Sequence, residues 1–302
     1  LKFAAANMML HYDLSISFKV NKSLFGEGMF ADPYVTYAWG DTVYTVTEYT
    51  DEGNRYAFKL EHICPTQLND SMVVTLYATY NGTTVRSVPM TYSLATYCYN
   101  MLEKDVGSTT DELHTLLVDL LNYGSLAQTA FHYKPDALAN AKLTAEQAAL
   151  GTSGDIVIRD RKDLNYKTVE SPMATWKSAS LVLEKSIGIR YCVKLESTEN
   201  ITIVFKTDHG YSFTYTGDDL VPVGNSDNEY YIYFNQINAT MVRTCVYATI
   251  YESGTAISNT IRYSIESYVY AMQNHAVYSD LVKAIMYYGA SALAYNQALK
   301  KA

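Results

Sequence analysis

The chain contains one stretch of residues twice, as YSLATYCYNM at residues 92–101 and as YSIESYVYAM at residues 263–272. The segment after it also returns, as LLVDLLNYG at residues 116–124 and as LVKAIMYYG at residues 281–289. Ser93 is a typical helix N-cap, and apolar residues recur at the three- and four-residue spacing of an amphipathic helix. The sequence therefore predicts two pairs of helices, each an αα-hairpin that closes one copy of a repeated module.

Short alternating runs of residues precede each pair of helices. The runs 14–20 and 56–60 alternate large apolar and smaller or polar residues, which is the period of a half-buried strand. Asn81-Gly82 is a hairpin signal, and Ser253-Gly254 stands at the matching place. The predicted fold class is mainly β with helices (α+β), as two tandem copies of an antiparallel Ig-like β-sandwich followed by an αα-hairpin.

The repeat also predicts the domain bounds. The first copy comprises a sandwich at residues 1–90 and helices at 91–150, and the second a sandwich at 176–261 and helices at 262–302. Residues 151–175 match nothing in the first copy and are predicted to be a linker, in which Asp155 to Arg159 could form one strand. Gly124 and Gly289 lie inside helices, where Gly costs about 1 kcal/mol relative to Ala. We therefore expect another part of the chain to approach each helix closely at its glycine.

Charge and hydropathy exclude two classes of partner. The formal net charge is −8, and the sequence has no cluster of Lys and Arg of the kind that binds nucleic-acid phosphates. No apolar run approaches the ~20 residues of a membrane-spanning helix. We expect neither nucleic-acid binding nor membrane insertion by this segment, which begins at Leu1 without a Met and is expected to be part of a longer chain.

Motifs for catalysis and metal binding are missing from the sequence. It has no nucleophile elbow, phosphate-binding loop, dinucleotide fingerprint or paired zinc histidines. Paired acids at 51–52 and 218–219 fall in predicted turns, where exposed carboxylates are ordinary. Asp218, Asp219, Asp227 and Glu229 lack the spacing of a calcium loop. We expect no enzymatic activity, no catalytic residue, no metal and no cofactor.

The four cysteines are Cys64, Cys98, Cys192 and Cys245. They do not recur between the copies, since Val269 stands where Cys98 does, so a duplicated disulfide framework is not predicted. Cys192 and Cys245 both fall on predicted strands and could pair. The favoured prediction is unpaired thiols, some of them buried as small hydrophobic residues.

Aromatic residues are the best candidates for a ligand site, with 29 tyrosines in the chain against 2 tryptophans. Planar rings on a sheet face can stack on the apolar faces of sugars. The candidate ligand-binding residues are Tyr211, Phe213 and Tyr215, which alternate on one strand, and Tyr34, Tyr37 and Trp39, which crowd another. Further tyrosines that add to these faces are Tyr12, Tyr230, Tyr231 and Tyr233. The alternative, which is favoured, is that these rings face the core, the helices or the neighbouring copy.

A sheet that ends in a Tyr-Ser-x-x-x-Tyr helix and a Tyr-Gly-containing second helix resembles an uncharacterised repeated module of large secreted or surface proteins of gut clostridia and ruminococci. The residues that carry the resemblance are Tyr92-Ser93 with Tyr97, Tyr123-Gly124, Tyr263-Ser264 with Tyr268, Tyr288-Gly289, and the strands from Trp176 to Val193. The resemblance implies no active site. It implies an extracellular or cell-surface location in an anaerobe.

These observations predict a non-enzymatic extracellular or cell-surface segment that acts as a structural spacer or an adhesion-type interaction module. Its partner would be an unknown protein or glycan. The alternative is a carbohydrate-binding module that uses exposed aromatic side chains on one sandwich face. A hydrolase would require two carboxylates facing each other across a cleft.

Overall fold

Antiparallel sheets and five helices make up the described part of the chain in the computed structural model, which covers residues 1–10, 14–183, 187–224 and 226–302. The prediction of a mainly β, α+β fold is confirmed. The chain divides into two compact units, one of residues 1–152 with 297–302, and the other of residues 153–296.

The first unit contains two antiparallel sheets. Its strands are β1 (Ala5–Leu10), β2 (Leu14–Asn21), β3 (Ala31–Trp39), β4 (Thr42–Val46), β5 (Thr50–Asp51), β6 (Arg55–Ile63), β7 (Met72–Tyr80), β8 (Thr83–Arg86) and β9 (Met90–Tyr92). One sheet has the strand order β1-β2-β6-β5. The other has the order β4-β3-β7-β8, and β9 also pairs with β7.

The two sheets of the first unit bury their apolar faces against each other. Phe18 on β2 and Tyr37 on β3 are fully buried, and their ring centroids lie 5.9 Å apart. The Tyr37 hydroxyl donates a hydrogen bond of 2.9 Å to the carbonyl of Phe58 on β6. Because each buried ring removes a large apolar surface from water, worth about 1.5–3 kcal/mol, these contacts account for the alternating pattern of the strands.

The first unit also contains the helices α1 (Leu94–Leu102), α2 (Thr110–Ala130) and α3 (Ala145–Ala148). Ser93 caps α1 as predicted, since its Oγ accepts a hydrogen bond of 3.0 Å from the backbone N–H of Thr96. The predicted apolar stripe of α2 is buried throughout, at Leu113, Leu116, Leu117, Leu120, Leu121, Gly124 and Ala127. α1 packs against α2.

The second unit again contains two antiparallel sheets. Its strands are β10 (Asp163–Lys167), β11 (Thr175–Val182), β12 (Gly188–Lys194), β13 (Ile201–Thr207), β14 (Ser212–Thr216), β15 (Val221–Pro222), β16 (Glu229–Phe234), β17 (Val246–Glu252), β18 (Thr255–Ala256) and β19 (Thr260–Tyr263). One sheet has the order β11-β12-β16-β15. The other has the order β10-β19-β17-β13-β14, and β18 also pairs with β17.

Aromatic rings fill the space between the sheets of the second unit. Phe205 on β13 lies 5.4 Å from the ring of Tyr191 on β12 and 4.8 Å from that of Phe234 on β16. The helices are α4 (Ile265–Met272), which Ser264 caps, and α5 (Ser279–Leu299). Within the described residues, none of the helices is both long enough and apolar enough to cross a bilayer.

The two helix glycines lie where other segments approach closely, and this prediction is confirmed. A Cβ atom on Gly124 would lie 2.4 Å from Leu68 Cδ1 and 3.1 Å from the Pro65 carbonyl oxygen. A Cβ atom on Gly289 would lie 2.3 Å from Val242 Cγ2. Each glycine therefore leaves space for the short turn that precedes β7 or β17.

Residues 155–167, called the lead-in segment below, differ from the prediction. The predicted strand from Asp155 to Arg159 is wrong, since the strand of this region is β10, which pairs with β19. The main-chain groups of the earlier part bond to side chains instead. The Val157 carbonyl accepts a hydrogen bond of 3.0 Å from Arg243, and the Arg159 N–H donates one of 3.1 Å to Glu266.

Candidate functional site

The outer face of the sheet β10-β19-β17-β13-β14 carries an open groove of about 330 Å³, called the tyrosine groove below. It lies wholly in the second unit. Its lining residues come from the four strands β10, β13, β17 and β19: Tyr166, Lys167, Val204, Lys206, Thr207, Tyr247, Thr249, Tyr251 and Thr260. A concave site that combines rings, hydroxyls and ammonium groups is suited to a polar ligand with flat apolar surfaces.

Strand alternation places these side chains on the outer face, except that of Thr207, which takes an inward position at the end of β13 and is buried. On β17, Val246, Ala248 and Ile250 are buried against the other sheet, so Tyr247 and Tyr251 must point the opposite way. Lys206 on β13 lies opposite Tyr247 in the ladder. The strand β17 therefore has one apolar, buried face and one solvent-facing side that carries Tyr and Thr residues.

The rings and hydroxyls of the groove are held by their neighbours. The ring centroids of Tyr166 and Tyr247 are 4.9 Å apart, and the Arg262 guanidinium carbon lies 5.2 Å from the Tyr166 ring centroid. The hydroxyls of Thr249 and Thr260 are 2.7 Å apart and share a hydrogen bond. The groove is therefore organised before any ligand arrives, which lowers the entropy cost of binding.

The groove is a partly buried tyrosine cluster with charged groups of both signs near it, Arg262 and Asp208. Burial raises the pKa of Tyr247, as do Cys245, Tyr166 and Asp208 nearby, whereas Arg262 acts in the opposite direction. Tyr247 is consequently a neutral hydrogen-bond donor at physiological pH.

The lead-in segment supplies one side of the groove, because Tyr166 and Lys167 belong to β10. A buried ion pair fixes the start of this segment. The Glu266 carboxylate has no exposed surface, and it accepts hydrogen bonds from Arg243 and from the Arg159 N–H. The Nε of Arg161 lies 3.5 Å from its other oxygen.

The first predicted aromatic set, Tyr211, Phe213 and Tyr215, lies at or next to β14, in the sheet that carries the groove but outside the groove itself. Phe213 and Tyr215 are half-buried on the inner face of β14, where Phe213 lies 5.4 Å from the Phe234 ring. Burial raises the pKa of Tyr215. Tyr211 is exposed, at 60% of its surface, in the turn before β14. The three side chains do not form a single binding face.

The second predicted set, Tyr34, Tyr37 and Trp39, is divided between the two faces of β3. Tyr37 is fully buried, so the expectation that it is an exposed ring on a crowded face is wrong. Tyr34 points outward and stacks on Tyr77, at 4.9 Å between ring centroids. The Trp39 indole N–H donates a hydrogen bond of 3.4 Å to Asp70. The reason is the two-residue period of a strand, which puts positions 34 and 37 on opposite sides.

Of the other tyrosines noted in the sequence, Tyr231 and Tyr233 form a small patch on the outer face of β16, with ring centroids 6.4 Å apart. The guanidinium carbon of Arg190 lies 4.5 Å from the Tyr231 ring centroid. Tyr230 pairs with Val193 in the ladder and is half-buried. Tyr12 lies outside the described residues.

The acidic and sulfur-containing side chains of the described residues do not gather into a metal centre. No group of three or more His, Cys, Asp or Glu residues that could hold a metal ion occurs among the described residues. Asp219 instead accepts a hydrogen bond of 2.8 Å from the backbone N–H of Thr216. Cys192 and Cys245 are buried thiols that are not bonded to each other.

The number of aromatic rings in a strand does not predict the groove residues, because the two faces of the strand differ in which rings they carry. The available signal was the alternation in Val246–Glu252, where aliphatic residues take one set of positions and Tyr or Thr the other. In Ser212–Thr216 the same comparison puts the serine and threonines outward and the rings inward.

Comparison with known proteins adds little to these observations. No protein-family model matches the chain, and no curated protein is significantly similar to it in sequence. Among solved structures, the chain is similar to a pullulanase from Anoxybacillus sp. LM18-11, solved also in complex with maltotriose. The identity is 9% and the TM-score 0.18; the match covers 83% of this chain and 24% of that one. A TM-score this low supports no argument about fold or function.

Proposed function

We propose that this chain is a non-enzymatic, adhesion-type segment of an extracellular or cell-surface protein, and that it binds a carbohydrate through the tyrosine groove. The observation that supports this most directly is the set of three tyrosines, Tyr166, Tyr247 and Tyr251, on one solvated sheet face. Tyrosine offers an apolar ring to the flat face of a sugar and a hydroxyl to its polar edge. The extracellular location rests on the resemblance of the repeated helices.

We also propose that the chain is two copies of one module, an Ig-like sandwich with an αα-hairpin, at residues 1–150 and 176–302. The strand order β1-β2-β6-β5 corresponds to β11-β12-β16-β15, and β4-β3-β7-β8 corresponds to β14-β13-β17-β18. The N–H of Ala95 in α1 donates to the Leu68 carbonyl, and the N–H of Glu266 in α4 donates to that of Val242. Leu68 and Val242 are also the residues that approach Gly124 and Gly289.

Alanine substitution of the groove tyrosines tests the proposed function. The unaltered chain is first screened against plant and host glycans, and binding of the best glycan is then measured for Tyr166→Ala, Tyr247→Ala and Tyr251→Ala. We expect each variant to bind at least ~10-fold more weakly, because truncating an aromatic side chain at the centre of a binding site typically lowers the affinity by more than about ten-fold.

The matched control is Tyr270→Ala on α4, since Tyr270 is 44% exposed and Tyr166 is 41% exposed. This variant should bind as the unaltered chain does, and circular dichroism should show all variants folded. If folded groove variants bind as well as the control, the groove is not the binding site. If the unaltered chain binds no glycan at millimolar concentration, the spacer role remains as the proposed function.

A further inference from the structure

We infer that the tyrosine groove selects an acidic polysaccharide, whose sugar units carry carboxylate groups; this rests on the proposed function of the groove. Lys167 on β10 and Lys206 on β13 are the charged residues of its lining, and both are exposed. None of the described residues that line the groove is acidic. The arrangement therefore offers cations on both sides of the tyrosines to an anionic ligand.

The two lysines lie on opposite sides of the groove. Lys206 on β13 pairs with Tyr247 on β17, which in turn pairs with Arg262 on β19. Lys167 on β10 pairs with Thr260, which is also on β19. Strands in a sheet are about 4.8 Å apart, so the backbones of β13 and β10 are separated by roughly 14 Å. A ligand that meets both lysines must cross the tyrosines, which suits a chain of several sugar rings.

The charges of the lysines are available to a ligand. Among the described residues, no ion pair joins Lys167 or Lys206 to a carboxylate, whereas four other lysines have such partners. Two acids that lie close to these lysines along the chain, Asp208 and Asp163, accept hydrogen bonds from main-chain amides. Asp208 accepts a hydrogen bond of 3.2 Å from the Cys245 N–H, and Asp163 accepts one of 2.9 Å from the Asn165 N–H.

The negative net charge of the whole chain limits where a polyanion can bind. The net charge is −8, so the chain as a whole does not attract polyanions, and Lys167, Lys206 and Arg262 are the groups that favour an anion at the groove. Polyanion binding should therefore be restricted to the groove. Stacking on tyrosine distinguishes the proposed ligand from an acidic peptide, which has no flat apolar ring face in each unit.

The test measures binding of polygalacturonate to the full chain against binding of the same polymer with its carboxylates methyl-esterified. We expect the acidic form to bind at least ~10-fold more tightly at 0.1 M NaCl, and this preference to disappear at 1 M NaCl, because the Debye length falls from about 10 Å to about 3 Å. Poly-glutamate, which carries carboxylates without sugar rings, should bind weakly.

Substitution of the groove lysines tests whether the preference for the acidic polymer arises at the groove. Lys167→Gln and Lys206→Gln should each weaken binding of the acidic polymer about three-fold, the size expected for one exposed charge pair, and should leave the esterified polymer unaffected. Lys206→Arg should retain binding. Lys177→Gln, which removes an exposed lysine from β11, is the control and should change nothing.

Each contrary result has its own meaning. Equal binding of the two polymers overturns the selectivity and leaves the groove as a neutral glycan site. Poly-glutamate that binds as tightly as polygalacturonate overturns the ligand class. If neither polymer binds but a neutral glycan does, and Tyr247→Ala abolishes that binding, the inference fails while the proposed function stands.

Discussion

Among the described residues of the second unit, Glu266 is the most deeply buried charged residue, and its arginine partners are much less buried. Its side chain is 0% exposed, whereas those of Arg243 and Arg161 are 38% and 31% exposed. A buried carboxylate without a partner is expensive, because water no longer solvates it. The two sides of this ion pair are therefore unequal, and truncating one should not have the same effect as truncating the other.

We expect Arg243→Met to lower the free energy of unfolding by about 3–5 kcal/mol, because it leaves Glu266 buried with only the more distant Arg161. Glu266→Gln should cost less, about 1–3 kcal/mol, since the two arginines can be hydrated and the amide can still accept the Arg159 N–H. Urea unfolding checks both values. Glu199→Gln, at an exposed site, is the control; equal costs for the two variants would contradict this account.

Cys98 shows how burial alone changes a group's acidity. The side chain is fully buried in α1, and burial raises the pKa of its thiol to about 12 from a usual value of 9.0. Since the thiolate forms more readily in the unfolded chain, stability is complete below pH 9 and declines as the pH rises towards 12.

We expect Cys98→Val, which places the residue found at the matching position 269, to make stability less sensitive to alkaline pH. Relative to the unaltered chain, the variant should gain about 1.4 kcal/mol per pH unit above pH 9. Urea unfolding at pH 7, 9 and 10 measures this difference. If the two chains lose stability in parallel, buried tyrosines such as Tyr191 account for the loss instead.

Two helix glycines, Gly124 and Gly289, pack against the short turns that precede β7 and β17, and the surroundings of the two glycines differ. The Cβ of an alanine at position 124 would meet Leu68 Cδ1, the end of a side chain that can turn away. At position 289 it would meet both γ carbons of Val242, at 2.3 and 2.9 Å. A β-branched side chain has few alternative rotamers, so Val242 cannot give way easily.

Gly289→Ala should therefore destabilise the chain by about 1–3 kcal/mol through overpacking, even though alanine favours a helix by about 1 kcal/mol over glycine. Gly124→Ala should cost less. Thermal unfolding compares the two variants. Val242→Ala added to Gly289→Ala should recover part of the loss, and failure to do so would show that the valine is not the obstacle.

Elements with local signals could be predicted from the sequence, and those that depend on distant partners could not. Asn81 and Gly82 have φ values of 48° and 74°, as their hairpin requires, and the turn follows from these two residues alone. β10 is a strand because β19 lies beside it, about 95 residues further along the chain. Asp155 to Arg159 has the composition of a strand, but its main chain is taken up by Arg243 and Glu266.

The candidate site, too, could be predicted from the sequence only in part. Which strands carry aromatic residues could be predicted, because the rings can be read directly from the sequence of each strand. Which face they occupy depends on register and on the opposing sheet, so Tyr37 and Phe213 turned inward and Tyr247 and Tyr251 outward. Pro33, Val35 and Tyr37 alternate on β3 and are all buried, and this inward set identifies Tyr34 as the outward ring.

In the molecule as a whole, the two units share a strand order but differ in what is added to it. The second unit has β10 at the edge of one sheet, and this strand supplies Tyr166 and Lys167 to the tyrosine groove. In the first unit the corresponding sheet carries Tyr34 stacked on Tyr77 on its outer face. The outer faces of these two sheets therefore differ, so we expect recognition to be confined to the second unit.

The lead-in segment is held largely by its main chain, through the Val157 carbonyl, the Arg159 N–H and the Arg161 carbonyl, which accepts a hydrogen bond of 3.0 Å from Arg262. Every amino acid offers the same carbonyl, and all but proline the same amide. Many of the side chains along the lead-in segment can therefore change during evolution without loss of these hydrogen bonds. Such changes would alter which polymer the groove prefers while the segment keeps its position.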